Sequence, residues 1–327
     1  MELNIIYKET CLETLSKMPD AFIDCVITSP PYWQLRDYGY PEQWGLEPTH
    51  QEYLEHLWQL MDEIYRVLKP TGTVWVNLGD TYNTVSGNMK SGMKSAQINS
   101  NVANSAIAPD VYTKAKDIRR KSLCLLPHRF AIGCSDRGWI IRNDIIWAKR
   151  NGMPESTTDR FSKKHEYFFF MTKSEKYFFD LDAVKEKRTD KQMQNDYKRI
   201  MADKNGGGKK HTQGGTSSFN NTKTKEEVWE RLQLGKNPGS VSDFWDIPTL
   251  PSADEHYAVY NEELLMKPIL AGCPKGGTIY DPFMGSGTTA IMAHRARCNW
   301  IGSEMSEEFL KVAEQNLKPL LSQTFLF

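Results

Sequence analysis

The chain has 327 residues, 39% of them hydrophobic and 25% charged, and its 41 Lys plus Arg balance 41 Asp plus Glu. That is enough apolar content for one large α/β domain with insertions, while no apolar run approaches the roughly eighteen residues of a membrane span and Met1-Glu2-Leu3-Asn4 has no basic-then-apolar leader pattern, so a cytoplasmic protein with no membrane partner is expected. Six scattered cysteines (11, 25, 124, 134, 273 and 298) without C-x-x-C spacing support neither a zinc site nor a disulfide framework, and no metal is expected.

Apolar patterning predicts strands at 4–7, 22–27, 73–78, 139–147, 165–171, 278–281 and 299–303, with helices between several of them. Phe22-Ile23-Asp24-Cys25-Val26-Ile27 reads as a buried strand, and Ser29-Pro30-Pro31-Tyr32 follows just past its carboxyl end, where α/β enzymes place their chemistry. Two prolines fix φ and remove N–H groups, leaving the Pro30 carbonyl as an acceptor that can point into a cleft. Ser29 adds a hydroxyl acceptor and Tyr32 a π-face, a set suited to holding a flipped-out nucleobase by its exocyclic amine. Standing alone, the tetrapeptide would sooner be read as a Pro-Pro turn ending a strand. Arg36 follows closely enough to reach a phosphate, or to pair internally with Asp37.

The segment Glu52 to Leu68 carries Leu54, Leu57, Leu60, Met61, Ile64 and Leu68 at helical spacing. Residues 84–121 and 187–240 have no periodicity and are too long for ordinary loops, so they are functional or disordered. Charge concentrates near them: residues 1–83 hold 5 basic against 13 acidic residues, 84–152 hold 12 against 4, and 185–237 hold 13 against 7, including Lys209 and Lys210. Basic stretches inside a neutral chain predict a face for phosphates. Phe219, Trp229 and Trp245 are read as packing residues rather than DNA wedges.

Towards the end, Thr278-Ile279-Tyr280-Asp281-Pro282-Phe283-Met284-Gly285-Ser286-Gly287-Thr288-Thr289 enters an apolar helix from Ala290 to Ala296, a strand-turn-helix of nucleotide-site type. Gly285 and Gly287 allow close backbone approach, Ser286, Thr288 and Thr289 crowd a helix N-terminus, and Glu304 ends the next strand where an acid can hold ribose hydroxyls. The run Gly285 to Ala290 also fits the G-x-G-x-x-A fingerprint, so by itself this segment permits NAD.

Taken together, T-S-P-P-Y at 28–32 and D-P-F-M-G-S-G-T-T at 281–289 resemble motifs IV and I of the S-adenosylmethionine-dependent amino-methyltransferases of DNA. Their order, catalytic motif first, resembles the permuted β-group of restriction-modification and orphan methylases. The resemblance runs on through Tyr65 to Gly72, Asn77 to Asp80, Ile145 to Lys149, and Met153-Pro154-Glu155-Ser156 with Arg160, His165 and Glu166, covering roughly two thirds of the chain. It implies a circularly permuted, Rossmann-like seven-stranded methyltransferase sheet. The expected organisation is a catalytic half at 1–184 with a polar insertion at 84–121, a target-recognition region at 185–245, and a cofactor-binding half at 246–327.

The resemblance further implies methyl transfer from S-adenosylmethionine to an amine of double-stranded DNA. Ser29, Pro30, Pro31 and Tyr32 would be catalytic, and Asp281, Phe283, Gly285, Ser286, Gly287, Thr288, Glu304 and Cys11 would bind the cofactor. Arg36, Arg160, Lys209 and Lys210 would contact DNA. A cognate restriction endonuclease and a homodimer belong to the same expectation. Cytosine-N4 relatives mostly carry Ser at the first tetrapeptide position and adenine-N6 relatives Asp or Asn, so Ser29 favours N4 of cytosine, with N6 of adenine as the alternative. Two departures stand out: relatives' Gly-Asp-Cys is Glu9-Thr10-Cys11 here, and the proline of H-F-A-x-F-P is Asn261. The readings from other classes are an NAD-dependent dehydrogenase, which leaves 28–32 without a purpose, and an inactive DNA-binding module, which need not retain both motifs.

Overall fold

The structure is a computed structural model that describes residues 1–40, 42–83, 115–152, 155–185, 241–249 and 261–321, with scattered positions between 191 and 226. The chain divides into two units, residues 1–179 with 243–327, and residues 180–242. In chain order the elements are Ile5–Tyr7 (β1), Cys11–Lys17 (α1), Ile23–Thr28 (β2), His50–Val67 (α2), Leu68–Leu78 (β3), Leu126–Asp136 (α3), Ile140–Ala148 (β4), His165–Thr172 (β5), Leu181–Val184 (α4), Phe244–Asp246 (β6), Glu262–Gly272 (α5), Thr278–Asp281 (β7), Thr288–Arg295 (α6), Asn299–Ser303 (β8) and Glu307–Leu321 (α7). In the second unit, the Asp180 side chain caps α4 by accepting from the Ala183 amide.

All the strands of the first unit join one sheet in the order β1-β8-β7-β2-β3-β5-β4-β6. The seven expected strands are all there, and the count of seven is corrected to eight by Phe244–Asp246, which pairs parallel with β4 (Ile146↔Phe244, Ala148↔Asp246). Three residues are too few for a periodicity signal. This strand is held by its neighbours: the Trp147 indole donates to the Ile247 carbonyl at 2.8 Å, and Arg150 grips Asp246. Trp245 is buried and packs at 5.6 Å from the Phe168 ring, while Phe219 and Trp229 lie outside the described residues.

β2 is buried at all six positions, which is what a central parallel strand covered on both faces requires. It pairs parallel with β3 on one side (Thr28↔Val76) and with β7 on the other (Val26↔Tyr280). The carboxyl ends of β2 and β7 therefore lie side by side, although the residues that follow them are separated by about 250 positions in the chain. α2 starts at a capping box in which Thr49 and Glu52 satisfy each other's backbone amides, and it buries Tyr53, Leu54, Leu57, Leu60, Met61, Ile64 and Val67 on one face. Among the described residues no helix is long and apolar enough to cross a membrane, no cluster of three potential metal ligands exists, and all six cysteines are free and buried.

The one acid in β2 shows how the sheet tolerates a charge. Asp24 accepts from Lys69 Nζ at 2.8 Å with each oxygen, and from the Thr278 amide at 2.9 Å, so it ties β2 to both neighbours. Asp24→Ala leaves the buried Thr278 amide unpaired and should destabilise the chain by about 2 kcal/mol in urea unfolding, with Asp24→Asn costing less because its Oδ1 can still accept.

Candidate active site

Past the carboxyl ends of β2 and β7 lies a cavity of about 670 Å³, lined by Ser29, Pro30, Pro31 and Tyr32 of the tetrapeptide and by Asp281, Phe283, Gly285, Ser286, Thr288 and Glu304 at and near the glycine turn. The Pro31 carbonyl is taken by the Tyr53 hydroxyl at 2.9 Å. Among the described residues, nothing hydrogen-bonds the Ser29 hydroxyl or the Pro30 carbonyl. Two acceptors thus remain available at the strand end.

Tyr32 is held by its hydroxyl, which donates to Glu166 Oε2 at 2.8 Å and lies 3.1 Å from Asn77 Oδ1. The Asn77 amide is itself oriented by donating to the Tyr167 carbonyl. Glu166 pairs through its other oxygen with Lys149, whose ammonium sits 4.5 Å over the Trp147 ring. Gly79 makes room for this arrangement, since a Cβ there would lie 2.6 Å from the Tyr32 ring. Behind the tetrapeptide, Glu47 accepts from the Gly45 amide and contacts His56 Nδ1, both at 2.9 Å, and its carbonyl accepts from the Trp33 indole. This folds Trp44 against His56 (5.3 Å, stacked) and edge-on to Phe283 (5.5 Å), so that Trp44 and Phe283 wall the cavity.

The glycine turn is shaped by two carboxylates, Asp281 fully buried and Glu304 half-buried. Asp281 accepts from the Phe283 amide at 3.0 Å and the Thr289 hydroxyl at 2.6 Å, and burial pushes its carboxyl up to about 6. Glu304 accepts from the Gly285 amide at 2.8 Å and the Ser306 amide at 2.7 Å; burial raises its pKa as well. Gly285 (φ +54°) and Gly287 (φ +85°) are both left-handed, and a Cβ at Gly287 would lie 3.1 Å from that of Ala313 on α7. Ser286 Oγ and Thr288 Oγ1 approach to 3.4 Å at the start of α6.

At the first strand end, Cys11 lines the cavity with its thiol pushed up to about 12 by burial, and its carbonyl accepts from the Tyr280 hydroxyl. Tyr280, Ser303, Thr14 and Glu9 form a continuous hydrogen-bonded row, with Glu9 also paired to Lys17. Glu9 therefore reaches the cavity wall despite the altered Gly-Asp-Cys pattern. Arg36 lines the cavity and hydrogen-bonds Tyr38. Arg160 stands apart: it pairs with Glu155 at 2.6 Å and lies 3.7 Å over the Tyr82 ring. Lys209 and Lys210 fall outside the described residues.

Sequence reasoning did not single out Trp44, Tyr53 or Glu47. Tyr53 sits one residue before the apolar stripe of α2, a position that signals burial but not the target of a hydroxyl. Glu166 and Lys149 were visible as parts of motifs, but their joint grip on Tyr32 depends on the antiparallel register of β4 and β5 (Trp147↔Glu166).

The chain matches a family model described as DNA methylase, of the N6/N4 type, over residues 23–315. It is 33% identical to the Type II methyltransferase M.Cfr9I of Citrobacter freundii, across 97% of this chain and 89% of that protein. It is 34% identical to the Type II methyltransferase M.XycI of Xanthomonas campestris pv. cyanopsidis, across 96% and 87%. In fold it is similar to the PvuII DNA methyltransferase (cytosine-N4-specific), with a TM-score of 0.59 at 16% identity over 98% of this chain and 87% of that one. It is also similar to TTHA0409, a putative DNA modification methylase of Thermus thermophilus solved with S-adenosyl-L-methionine (TM-score 0.53, 20% identity, 96% and 95%).

The raised Asp281 carboxyl has a consequence for stability. The folded chain keeps a proton that the unfolded chain releases near 3.8, so stability falls as pH rises from 3.8 to about 6 and is level above. Compared with Asp281→Asn, which does not titrate, the native chain should lose up to roughly 3 kcal/mol of relative stability across that window, measured by urea unfolding at a series of pH values.

Proposed function

The chain belongs to the DNA methylase family, and from that premise we propose that it methylates N4 of cytosine at a specific site in duplex DNA. It is an S-adenosylmethionine-dependent DNA methyltransferase of the N4/N6 group. The relatives named above are Type II methyltransferases, and a restriction-modification setting with a cognate endonuclease is part of the proposal.

The residues present fit the cofactor. The cavity volume lies in the roughly 300–1,000 Å³ range of small-molecule sites. A Cβ built on Gly285 would have no neighbour closer than 4.0 Å, so the turn faces open space. Asp281 keeps the turn closed, Phe283 and Trp44 supply apolar walls, and Glu304, whose oxygens have lone pairs beyond the two amides they accept, would take ribose hydroxyls. Ser286 and Thr288 would add hydroxyls, and the backbone of Cys11 completes the wall; Gly287, expected among the cofactor contacts, does not line the cavity and instead lets the turn pack against Ala313 of α7. When bound, S-adenosylmethionine supplies a methyl group activated by its sulfonium.

The protein's own work is to orient the acceptor. Ser29 Oγ and the Pro30 carbonyl would each accept an N–H of the exocyclic amine, which turns its lone pair toward the cofactor and shares the positive charge that develops on nitrogen. The ring of Tyr32, fixed by Glu166 and Asn77, would stack on the base. Pro31 commits its carbonyl to Tyr53 and so serves the shape of the loop. Arg36 at the cavity rim is proposed as a phosphate contact, as are Lys209 and Lys210.

One observation carries the reading: two acceptors without a partner among the described residues line the same cavity as a glycine turn built around two acids. Ser29, in place of an acid or amide, favours cytosine. Mass spectrometry of nucleosides from DNA treated with the purified chain should give N4-methylcytosine; N6-methyladenine as sole product would transfer the assignment to adenine. Ser29→Ala should lower the rate by about a hundredfold through loss of one acceptor, with S-adenosylmethionine affinity unchanged in calorimetry.

A further inference from the structure

Phe161 is 97% exposed, more than any other large apolar side chain among the described residues. The loop that carries it is tied down on both sides. Glu155 takes the Arg160 guanidinium with one oxygen (2.6 Å) and the Lys163 amide with the other (3.3 Å), which makes Phe161 part of a short arch with its ends on one carboxylate. Arg160 also donates to the Phe161 carbonyl and stacks on Tyr82, Lys163 reaches the Asp80 carbonyl, and Lys121 pairs with Asp159 at 2.6 Å. A ring presented outward by a braced arch is held available for a partner, because collapse onto the protein would require breaking these ties.

The arch lies on the same edge of the sheet as the catalytic tetrapeptide. It joins the end of β4 to the start of β5 (Ala148↔His165); β5 starts beside the end of β3 (Leu78↔Tyr167), and β3 ends beside β2 (Thr28↔Val76). Lys149 and Gly152, at the near end of the same loop, line the cavity. Arg119 and Arg120, exposed and next to Lys121, add positive charge beside the arch, which suits a polyanionic partner.

We propose that Phe161 enters the base stack of the target duplex and fills the gap left when the acceptor nucleotide swings into the cavity. The idea rests on the methyltransferase function stated above. An apolar wedge offsets the unstacking that extrusion costs, and braced backbone lets it do so without first ordering the loop. Arg160 and Glu155 are then positioning residues that act through Phe161.

The test uses the full chain with Phe161→Ala and Phe161→Trp, and a short duplex built around the site that methylation sequencing maps, in two forms: fully paired, and with an abasic nucleotide opposite the target base. On the paired duplex Phe161→Ala should lower kcat/KM by between about tenfold and a hundredfold. On the abasic form, where extrusion is already cheap, it should come within about threefold of the native chain. Phe161→Trp should stay near native on both, and S-adenosylmethionine affinity should not change. Equal loss on both duplexes, or no loss on either, overturns the wedge. A native chain that methylates no DNA would instead refute the underlying function, and the wedge with it.

Discussion

Parallel pairing of β2 with β7 is the constraint on which the rest of the molecule depends. Two parallel strands share a carboxyl end, so the tetrapeptide that follows one and the glycine turn that follows the other are delivered to the same edge with no further instruction. The burial of β2 on both faces and the Asp24 bridge to Lys69 and Thr278 secure that pairing. With the motifs this far apart in the chain, their juxtaposition is a property of the sheet rather than of either loop.

Around that edge, charge is used to shape backbone. Asp281, buried, and Glu304, half-buried, accept from amide and hydroxyl donors in and beside the turn, and so organise its backbone. Desolvation raises both carboxyls, and the donors they accept from oppose that shift. The tetrapeptide uses a different device: a phenol, a carboxylate and an ammonium in series from Tyr32 through Glu166 to Lys149. Anchoring the Tyr32 hydroxyl fixes the plane of its ring in the cavity wall.

Aromatic packing joins the two motifs. Trp44 touches Phe283 of the turn and His56 of α2, and the loop that carries it is closed by Glu47. The tetrapeptide loop and the glycine turn are thereby fixed to each other through side chains as well as through the sheet.

The strands of the sheet, the helix of α2 and the two chemical motifs were legible in the sequence, because each is a local pattern: a run of β-branched and apolar residues, a 3.6-residue stripe, a pair of prolines, a glycine turn. So was their kinship, from the order in which the motifs occur. Phe244–Asp246 was not legible, since three residues carry no period and their strand state is created by pairing with β4. Nor was the difference between Pro30 and Pro31, whose carbonyls are chemically identical until Tyr53 takes one of them. Glu304 was readable as an acid at a strand end, but its commitment to the Gly285 and Ser306 amides is a matter of three-dimensional proximity. Local sequence determined which elements and which reactive groups the chain contains, because propensity and backbone chemistry act over a few residues. Tertiary structure decided which of those groups are already engaged and which face the cavity, because hydrogen bonds and burial between distant segments exist only once the sheet has closed.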